Sequence, residues 1–444
     1  MLKRMRSFLV LVMLFITVTM SAQVTTATMS GKVTAQDEPI IGATIVAVHE
    51  PSGTRYGTVT NVSGQFNLQG MRTGGLYKVE ISYVGYQTAI YKGINLLLGE
   101  NYVLNVSLKE SSELLDEVVV TASKESNMKS DRAGAIMNAN RDMINSTPTI
   151  SRSISDIMRL SPQGADVGNG FAVGGGNYRQ SFVTVDGAAF NNTFGLGGNL
   201  PANGSPISLD ALEQVTVAVT PFDVRQSGFT GGAINAVTRS GDNQFRGTVY
   251  GYFNNENLRG DRVEDYKLTR SKSQYYTYGA SFGGPIIKDK LFFFVNGEYE
   301  DNVTAGSSYQ PRTSLDQEYT GNVRRPVENT IVDGNETWVG LNDMRQYLKE
   351  KYNYDPGRYN NYSVNTPAYR IMARLDWNAN LNNKLSLRFT KTHTKDSNFP
   401  SSSTSPLSAD DIYPGDTGLG IPKGKDSGRS TKYSMSFENS NYYQ

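Results

Sequence analysis

Between residues 245 and 440 six segments alternate apolar with polar residues, and the connections between them run long, short, long, short, long. The segments are 245–254, 275–284, 290–300, 369–379, 384–393 and 430–440, joined by 255–274, 285–289, 301–368, 380–383 and 394–429. Nothing else in the chain restricts its fold as much. Alternation with period two predicts antiparallel strands, each about as long as the ~9–11 residues that a tilted strand needs to cross a bilayer. A soluble sandwich alternates as well, but it gives no reason for one end of the sheet to carry every long loop. A membrane barrel does, because its periplasmic turns are short and its extracellular loops long. The fourth segment is the cleanest. Tyr369, Ile371, Ala373, Leu375 and Trp377 form a face for lipid, and Arg370, Met372, Arg374, Asp376 and Asn378 a face for the lumen. The fifth repeats it, with Leu385, Leu387 and Phe389 set against Lys384, Ser386 and Arg388. Aromatics near strand ends (Phe253, Tyr275, Tyr276, Tyr299, Tyr369, Trp377) suit interfacial girdles.

Composition agrees where it bears on this. Only 38% of residues are hydrophobic, while tyrosine (26) and glycine (44) are plentiful. That fits a barrel with a polar lumen and not a bundle of membrane helices. A formal net charge of +1 supplies no field that marks nucleic acid as a partner. Cysteine is absent, which excludes disulfides, thiolate metal sites and a lipid-anchored cysteine. The two histidines, His49 and His393, open no metal motif, so no metal and no cofactor is expected. His49, at a strand end beside Glu50-Pro51, reads as a surface or edge residue.

Residues 1–22 read as a signal peptide: Lys3, Arg4 and Arg6 as the basic head, 8–18 as the apolar run, Ser21-Ala22 as the small-residue exit. Export follows. Residues 23–110 then show short strands at turn-separated intervals: 41–48, 57–60, 65–68, the alternating set Tyr77, Val79, Ile81 and Tyr83, and Leu104, Val106 and Leu108. Such spacing predicts a sandwich of two antiparallel sheets. Residues 111–130 form a linker in which the apolar, β-prone run Val118, Val119, Val120 follows Asp116 and Glu117 and is continued by Thr121 and Ala122. From the residues alone this run reads as one more strand of the sandwich, or the first strand of the plug, as readily as a separate extended segment. Residues 131–241 alternate short strands with glycine turns. Thr147-Pro148 is an N-cap with proline at the first helical position, ahead of Ile150, Ile154, Ile157 and Met158 on one helix face. Strands are expected at 182–186, 215–220 and 233–238. The glycine-rich stretch 168–177 has neither a G-x-G-x-x-G opening a helix nor a Walker lysine, so it reads as tight turns and not as a phosphate loop.

Two stretches carry a resemblance. SGKVTAQDEPIIGATIVAVHEPSGTRYGTVTNVSGQFNLQGM is similar to the carboxypeptidase-regulatory-like domain, a transthyretin-type sandwich without catalytic residues. Val183-Thr184-Val185-Asp186-Gly187, the run 212–217, and Gly228-Phe229-Thr230-Gly231-Gly232 continuing to Thr238 resemble the plug of TonB-dependent outer-membrane receptors in the Oar-like and SusC-like style. The resemblance implies a mainly β fold: the sandwich, a small α+β plug at 131–241, and the first six strands of a large antiparallel transmembrane barrel at 242–444. It implies plug-motif positions at Gly174, Gly175, Val183, Val185, Asp186, Gly187, Gly231 and Gly232. It also makes Asp116, Glu117, Val118, Val119, Val120, Thr121 and Ala122 a coupling segment. The implied partners are periplasmic TonB with its inner-membrane energising complex, outer-membrane lipid, and a surface lipoprotein that delivers ligand. The location is the outer membrane of a Gram-negative bacterium, with sandwich and linker in the periplasm. The implied activity is energy-coupled uptake of a glycan, peptide or similar nutrient, and no enzyme. The arginine-glycine pair that many members have before the glycine loop is here Val173-Gly174, and 197–206 replaces the usual loop of siderophore receptors. Both departures argue against a ferric siderophore. A barrel that holds a folded plug needs around 22 strands, so the chain is expected to be the N-terminal part of a longer one. The alternatives are an exported carbohydrate-binding protein of several sandwiches, with the N-terminal domain as its site, and an outer-membrane adhesin without active transport.

Overall fold

A computed structural model describes residues 25–110, 118–121, 136–149, 152–167, 170–191, 200, 205–219, 231–258, 260, 262–263, 266–267, 272–305, 310–312, 323–327, 330–332, 336–338, 348–355, 363–381, 383–398, 435–438 and 442–443. The expected signal peptide lies outside these residues, as do Asp116, Glu117, Ala122 and Ile150.

The N-terminal part is a two-sheet sandwich. One sheet has β1 (Ala27–Ala35) at its centre, between β2 (Glu38–Pro39) and β5 (Gln65–Met71). The short strands β8 (Asn101–Val103) and β9 (Val106–Ser107) pair with β1 in parallel. The other sheet runs β10-β7-β6-β3-β4, with β3 at Thr44–His49, β4 at Thr54–Val59, β6 at Leu76–Ser82, β7 at Ala89–Asn95 and β10 at Val118–Thr121. Strand alternation builds the core: Ile45, Ala47, Tyr77, Val79 and Ile81 are all buried in one cluster with Met29, Phe66 and Met71. β3 begins later than expected because Gly42 sits at φ 77°, a left-handed turn that keeps the chain out of the sheet. The Asn61–Gly64 turn is an Asx turn: Asn61 Oδ1 accepts from Ser63 N at 2.9 Å and from Gln65 N at 2.8 Å. β10 is the sheet's outer strand, parallel to β7 from Val118↔Ala89 to Thr121↔Lys92. The described part of the linker, Val118 to Thr121, thus lies as one more strand of the sandwich and not as the first strand of the central unit.

A central α+β unit follows. Its sheet runs β11-β16-β17-β14-β15, with β11 at Ile136–Asn140, β14 at Phe182–Val185, β15 at Ala188–Ala189, β16 at Leu212–Ala218 and β17 at Ala233–Thr238. A separate hairpin pairs β12 (Gly164–Asp166) with β13 (Phe171–Val173). The helix start expected at Thr147-Pro148 is overturned. Asn140 caps a first helix, α1 (Arg141–Ser146), by accepting from Met143 N at 3.0 Å. Thr147 closes that helix, its Oγ1 donating to Met143 O at 2.6 Å. The second helix, α2 (Ile154–Met158), starts instead at Ser153, whose capping box with Asp156 outcompetes the more distant threonine. Ile154, Ile157 and Met158 do face the core, with Val183, Val185, Val215 and Ile234.

From residue 246 the chain forms one long antiparallel sheet. β18 (Arg246–Asn255), β21 (Gln274–Ile287), β22 (Leu291–Ala305), β27 (Ser363–Asn378) and β28 (Lys384–Asn398) are neighbours in that order, and β29 (Met435–Glu438) and β30 (Tyr442–Tyr443) both pair with β28. The first long link carries a small hairpin, β19 (Arg262–Val263) with β20 (Tyr266–Lys267). The second carries β23 (Gln310–Arg312) with β24 (Val323–Val327), and β25 (Thr330–Val332) with β26 (Glu336–Trp338). β22, β27 and β28 run past their expected ends on the side of the long loops, whereas β21 gains three residues at the short turn.

The two faces of this sheet differ as expected. Outward, Val249, Tyr278, Phe282, Val295, Ile371 and Leu375 are exposed, with Trp377 at 50% and Leu387 at 66%. An apolar face of this extent is what a lipid environment stabilises. Register places Tyr278, Tyr299, Tyr369 and His393 in one cross-strand row, and Leu291, Trp377 and Leu385 in another. The nine residues from Tyr369 to Trp377, eight steps of ~3.3 Å, span ~26 Å, close to the height of an outer-membrane apolar band. Among the described residues no helix is long and apolar enough to cross a membrane.

Candidate functional site

The inner face of the long sheet closes on the central unit through buried charge. Asp186 is the hub of the first cluster. It sits in the β14–β15 hairpin turn with Gly187, both at positive φ (51° and 88°), the pairing that a tight two-residue turn demands. Its backbone N–H donates to Ala236 O at 2.9 Å. Its carboxylate accepts from Thr238 N at 3.0 Å and from Thr238 Oγ1 at 2.5 Å. Two guanidiniums from the sheet approach it, Arg388 Nε at 3.6 Å and Arg374 Nη1 at 4.0 Å. Arg374 donates to Thr238 O at 2.6 Å and grips Asp376 with Nε (2.8 Å) and Nη2 (3.1 Å). Asp376 also accepts from Ser240 Oγ and, at 2.6 Å, from Ser386 Oγ.

The second cluster lies nearer the long loops. Arg370, 2% exposed, pairs with Glu298 at 2.9 Å and Glu300 at 2.8 Å and donates through Nε to Ser205 O at 2.5 Å. Glu298 accepts further bonds from Ser208 Oγ (2.8 Å) and Tyr250 OH (2.5 Å). Thr392 Oγ1 donates to Pro206 O at 2.5 Å. Both clusters therefore tie 186–240 of the central unit to strands β18, β22, β27 and β28. Between them, Arg239 stands 3.5 Å from Asp210 and 4.6 Å above the Phe294 ring. Burial, then the charge of Arg141, brings its guanidinium down to about 10. Burial also raises the Glu213 carboxyl, against the pull of Arg141 and Arg239.

Each of these buried charges has an opposite charge or several hydrogen bonds, and Phe294 and Met372 of the long sheet add an apolar contact with the core of the central unit. No nucleophile–base pair emerges from it, and among the described residues no three His, Cys, Asp or Glu side chains gather as a metal site.

The expected plug-motif residues fall as follows. Val183 and Val185 are buried core, Asp186 and Gly187 form the turn just described, and Gly174 and Gly175 follow β13 at φ 65° and 77°. Gly232 is required by packing: a Cβ there would lie 2.4 Å from Val173 Cγ1. Gly231 lies beside Gln180. Of the expected coupling segment, Val118, Val119, Val120 and Thr121 form β10, at the edge of the sandwich sheet and outside these clusters. His49 is corrected: it is 3% exposed, not a surface residue. Its Nδ1 meets Ser52 Oγ at 2.6 Å, and its Nε2 meets Gly74 O at 2.6 Å. Sequence reasoning placed Arg370, Arg374 and Asp376 on the lumen face but missed their partners Asp186, Glu298 and Glu300. The only local signal was charge at alternate positions of a strand.

This fold and site define a class: a small α+β domain held by charge inside the curved inner face of a membrane sheet. The comparisons agree. The family described as Outer membrane beta barrel domain matches residues 237–421, and Carboxypeptidase regulatory-like domain matches 28–109. The TonB-dependent transporter Oar of Myxococcus xanthus is 25% identical over 300 residues, 65% of this chain and 26% of that protein. The TonB-dependent receptor SusC of Bacteroides thetaiotaomicron is 29% identical over 221 residues, 46% of this chain and 20% of that one. A probable TonB-dependent siderophore receptor, PirA of Acinetobacter baumannii, is 26% identical over 216 residues, 45% of this chain and 27% of that one. The chain thus spans about a quarter of the length of the curated relatives it matches. Residues 237–421 thus match an outer-membrane β-barrel domain with a carboxypeptidase regulatory-like domain in front of it, and the relatives named here are TonB-dependent receptors and transporters.

Proposed function

We propose that the protein is a TonB-dependent outer-membrane receptor that takes up a ligand by energy-coupled transport and makes or breaks no bond itself. One observation carries this reading: Asp186 of the central unit holds Arg374 and Arg388 of the long sheet, whose opposite face is apolar. The central unit (131–241) is then a plug, seated by polar contacts that can be exchanged for water. The segment from Asp116 to Ala122 recruits periplasmic TonB by strand addition, a mode that depends on main-chain hydrogen bonds. Displacement of the plug opens the path. Glycans, peptides or similar nutrients are the ligand class, with a surface lipoprotein as a further partner.

The test is deletion of residues 116–122 in the receptor in its own outer membrane. The variant should reach the outer membrane, keep the heat-dependent gel shift of a folded barrel, and lose co-purification with TonB. Retained co-purification would refute the assignment of the segment. A protein that stays soluble after export would refute the receptor.

A further inference from the structure

The N-terminal sandwich is seated on the seam where the plug runs into the barrel strands, and the contact is specific. Asn243 N donates to Pro51 O at 3.0 Å, and Arg72 Nη2 donates to Gly241 O at 3.0 Å. Leu98 N donates to Gln214 Oε1 at 3.2 Å, and Leu98 and Val237 bury each other. On the barrel side Lys384 Nζ stands 3.4 Å from the centre of the Tyr56 ring. Asn378 Nδ2 donates to Thr54 Oγ1 at 2.9 Å and to Asp289 O at 3.1 Å. Glycines let the surfaces meet: a Cβ on Gly53 would lie 2.0 Å from Asp289 Oδ1, and one on Gly74 2.3 Å from Glu213 Oε1. Sandwich, plug and barrel together enclose a cavity of about 840 Å³, lined by His49, Arg72, Glu213, Arg239, Asp376 and Arg388 among others.

A hydrogen-bond chain stiffens this edge. Gly74 O can only accept, so His49 donates to it through Nε2 and accepts from Ser52 Oγ through Nδ1. Ser52 Oγ then accepts from Thr54 Oγ1 at 2.7 Å, and Thr54 accepts from Asn378 of the barrel. The docking edge belongs to β3 and β4. The strand at the other edge of that same sheet is β10, the described part of the coupling segment. Asp289 and Asn378 flank the short turns of the long sheet, which in a barrel of this kind face the periplasm. A plug leaving on that side meets the sandwich first.

We propose that the N-terminal sandwich is a latch across the periplasmic side of the plug–barrel seam, opened by force applied through its own edge strand β10. This rests on the reading of residues 116–122 as the coupling segment. A pull on β10 loads the sheet whose far edge carries the Thr54–Asn378 contact, so the latch must yield before the plug moves.

The 444 residues contain no cysteine, so substitution supplies the only thiol among them. Val237→Cys reports the buried contact with Leu98, and Val62→Cys, on an exposed turn, is the control. Labelling by a small maleimide is followed in cells with the proton-motive force intact or collapsed. With the force collapsed, Val237→Cys should label on the order of tenfold or more slower than Val62→Cys, the protection of a contact open a tenth of the time or less. Energising the cells should raise that rate several-fold. Deleting 116–122 should hold it slow in both states. A Thr54→Cys/Asn378→Cys pair should form a disulfide under mild oxidation and keep Val237→Cys slow in energised cells until it is reduced. Equal labelling of Val237→Cys and Val62→Cys in the collapsed state overturns the docking. An unchanged rate on energising, in a chain that still loses TonB co-purification when 116–122 is deleted, overturns the latch and leaves the coupling reading standing. Retained co-purification after the deletion removes the coupling reading, and the force-opened latch with it.

Discussion

Asp186→Asn isolates the charge that seats the plug, because asparagine keeps the shape and an acceptor for Thr238 N while removing the negative charge. Two guanidiniums lose their partner, Arg388 at 3.6 Å and Arg374 at 4.0 Å. At an effective dielectric near 20 each attraction is on the order of 4 kcal/mol before desolvation is counted. Arg374 keeps its bidentate contact with Asp376, so its loss is cushioned. Arg388 has no comparable second carboxylate as near, and most of the cost falls there. Neutralising Asp186 also relieves the cost of burying it, which leaves a net loss of about 2–4 kcal/mol in plug seating. The assay is denaturant-dependent protease cleavage of the plug in detergent-solubilised receptor, with the barrel's heat-dependent gel shift as the control that should not move. Arg388→Gln supplies the second corner of a cycle: in the Asp186→Asn background it should cost at least about 1 kcal/mol less than in the parent. Additive effects, or a shift below about 0.5 kcal/mol for Asp186→Asn, would refute the hub.

Arg370→Ala leaves Glu298 and Glu300 buried together without a cation and should cost about 3–5 kcal/mol in thermal unfolding of the receptor. Arg370→Met with Glu298→Gln and Glu300→Gln should recover most of that loss. His49 is held neutral by burial, then by the charge of Arg72, and protonates at about 4 instead of 6.5. The unfolded chain therefore binds the proton first: sandwich stability is complete above pH 6.5 and drains by about 3 kcal/mol as pH falls to 4. Hydrogen exchange of β3 and β6 in the intact receptor should follow that curve in the parent and lose its pH dependence in His49→Gln. Leu387→Arg, on the lipid face, should cost about 2–4 kcal/mol of barrel stability in vesicles, whereas Ser63→Arg on the sandwich turn should change it little.

Much of the fold could be read in the sequence because its signals are local. Ile371, Leu375 and Trp377 alternate with Arg370, Arg374 and Asp376, and two-residue periodicity alone assigns them to opposite faces. Asp186-Gly187 marks its own turn, since few other pairs accept two left-handed residues in succession. Thr147 misled because a cap is chosen by competition: Ser153 captured the helix start that its spacing suggested, and the helix begun at Asn140 left Thr147 at its C-terminal end. His49 misled because burial is a property of what packs on a strand end. Tyr77 lies 5.1 Å from its ring, and the loop carrying Gly74 covers it.

The sequence by itself determined the order of sandwich, central unit and long strands, and which residues of the long strands form the apolar outer face. These depend on periodicity and on turn residues within a few positions of each other. Only the tertiary structure decided which charges meet. Arg374 reaches Thr238 across 136 positions and Asn378 reaches Thr54 across 324. Strand alternation says that an arginine points inward but not what waits there, because the partner is set by register and by how one domain seats against another. The same holds for β10: three valines and a threonine fit either a free strand or an edge, and only pairing with β7 made it an edge.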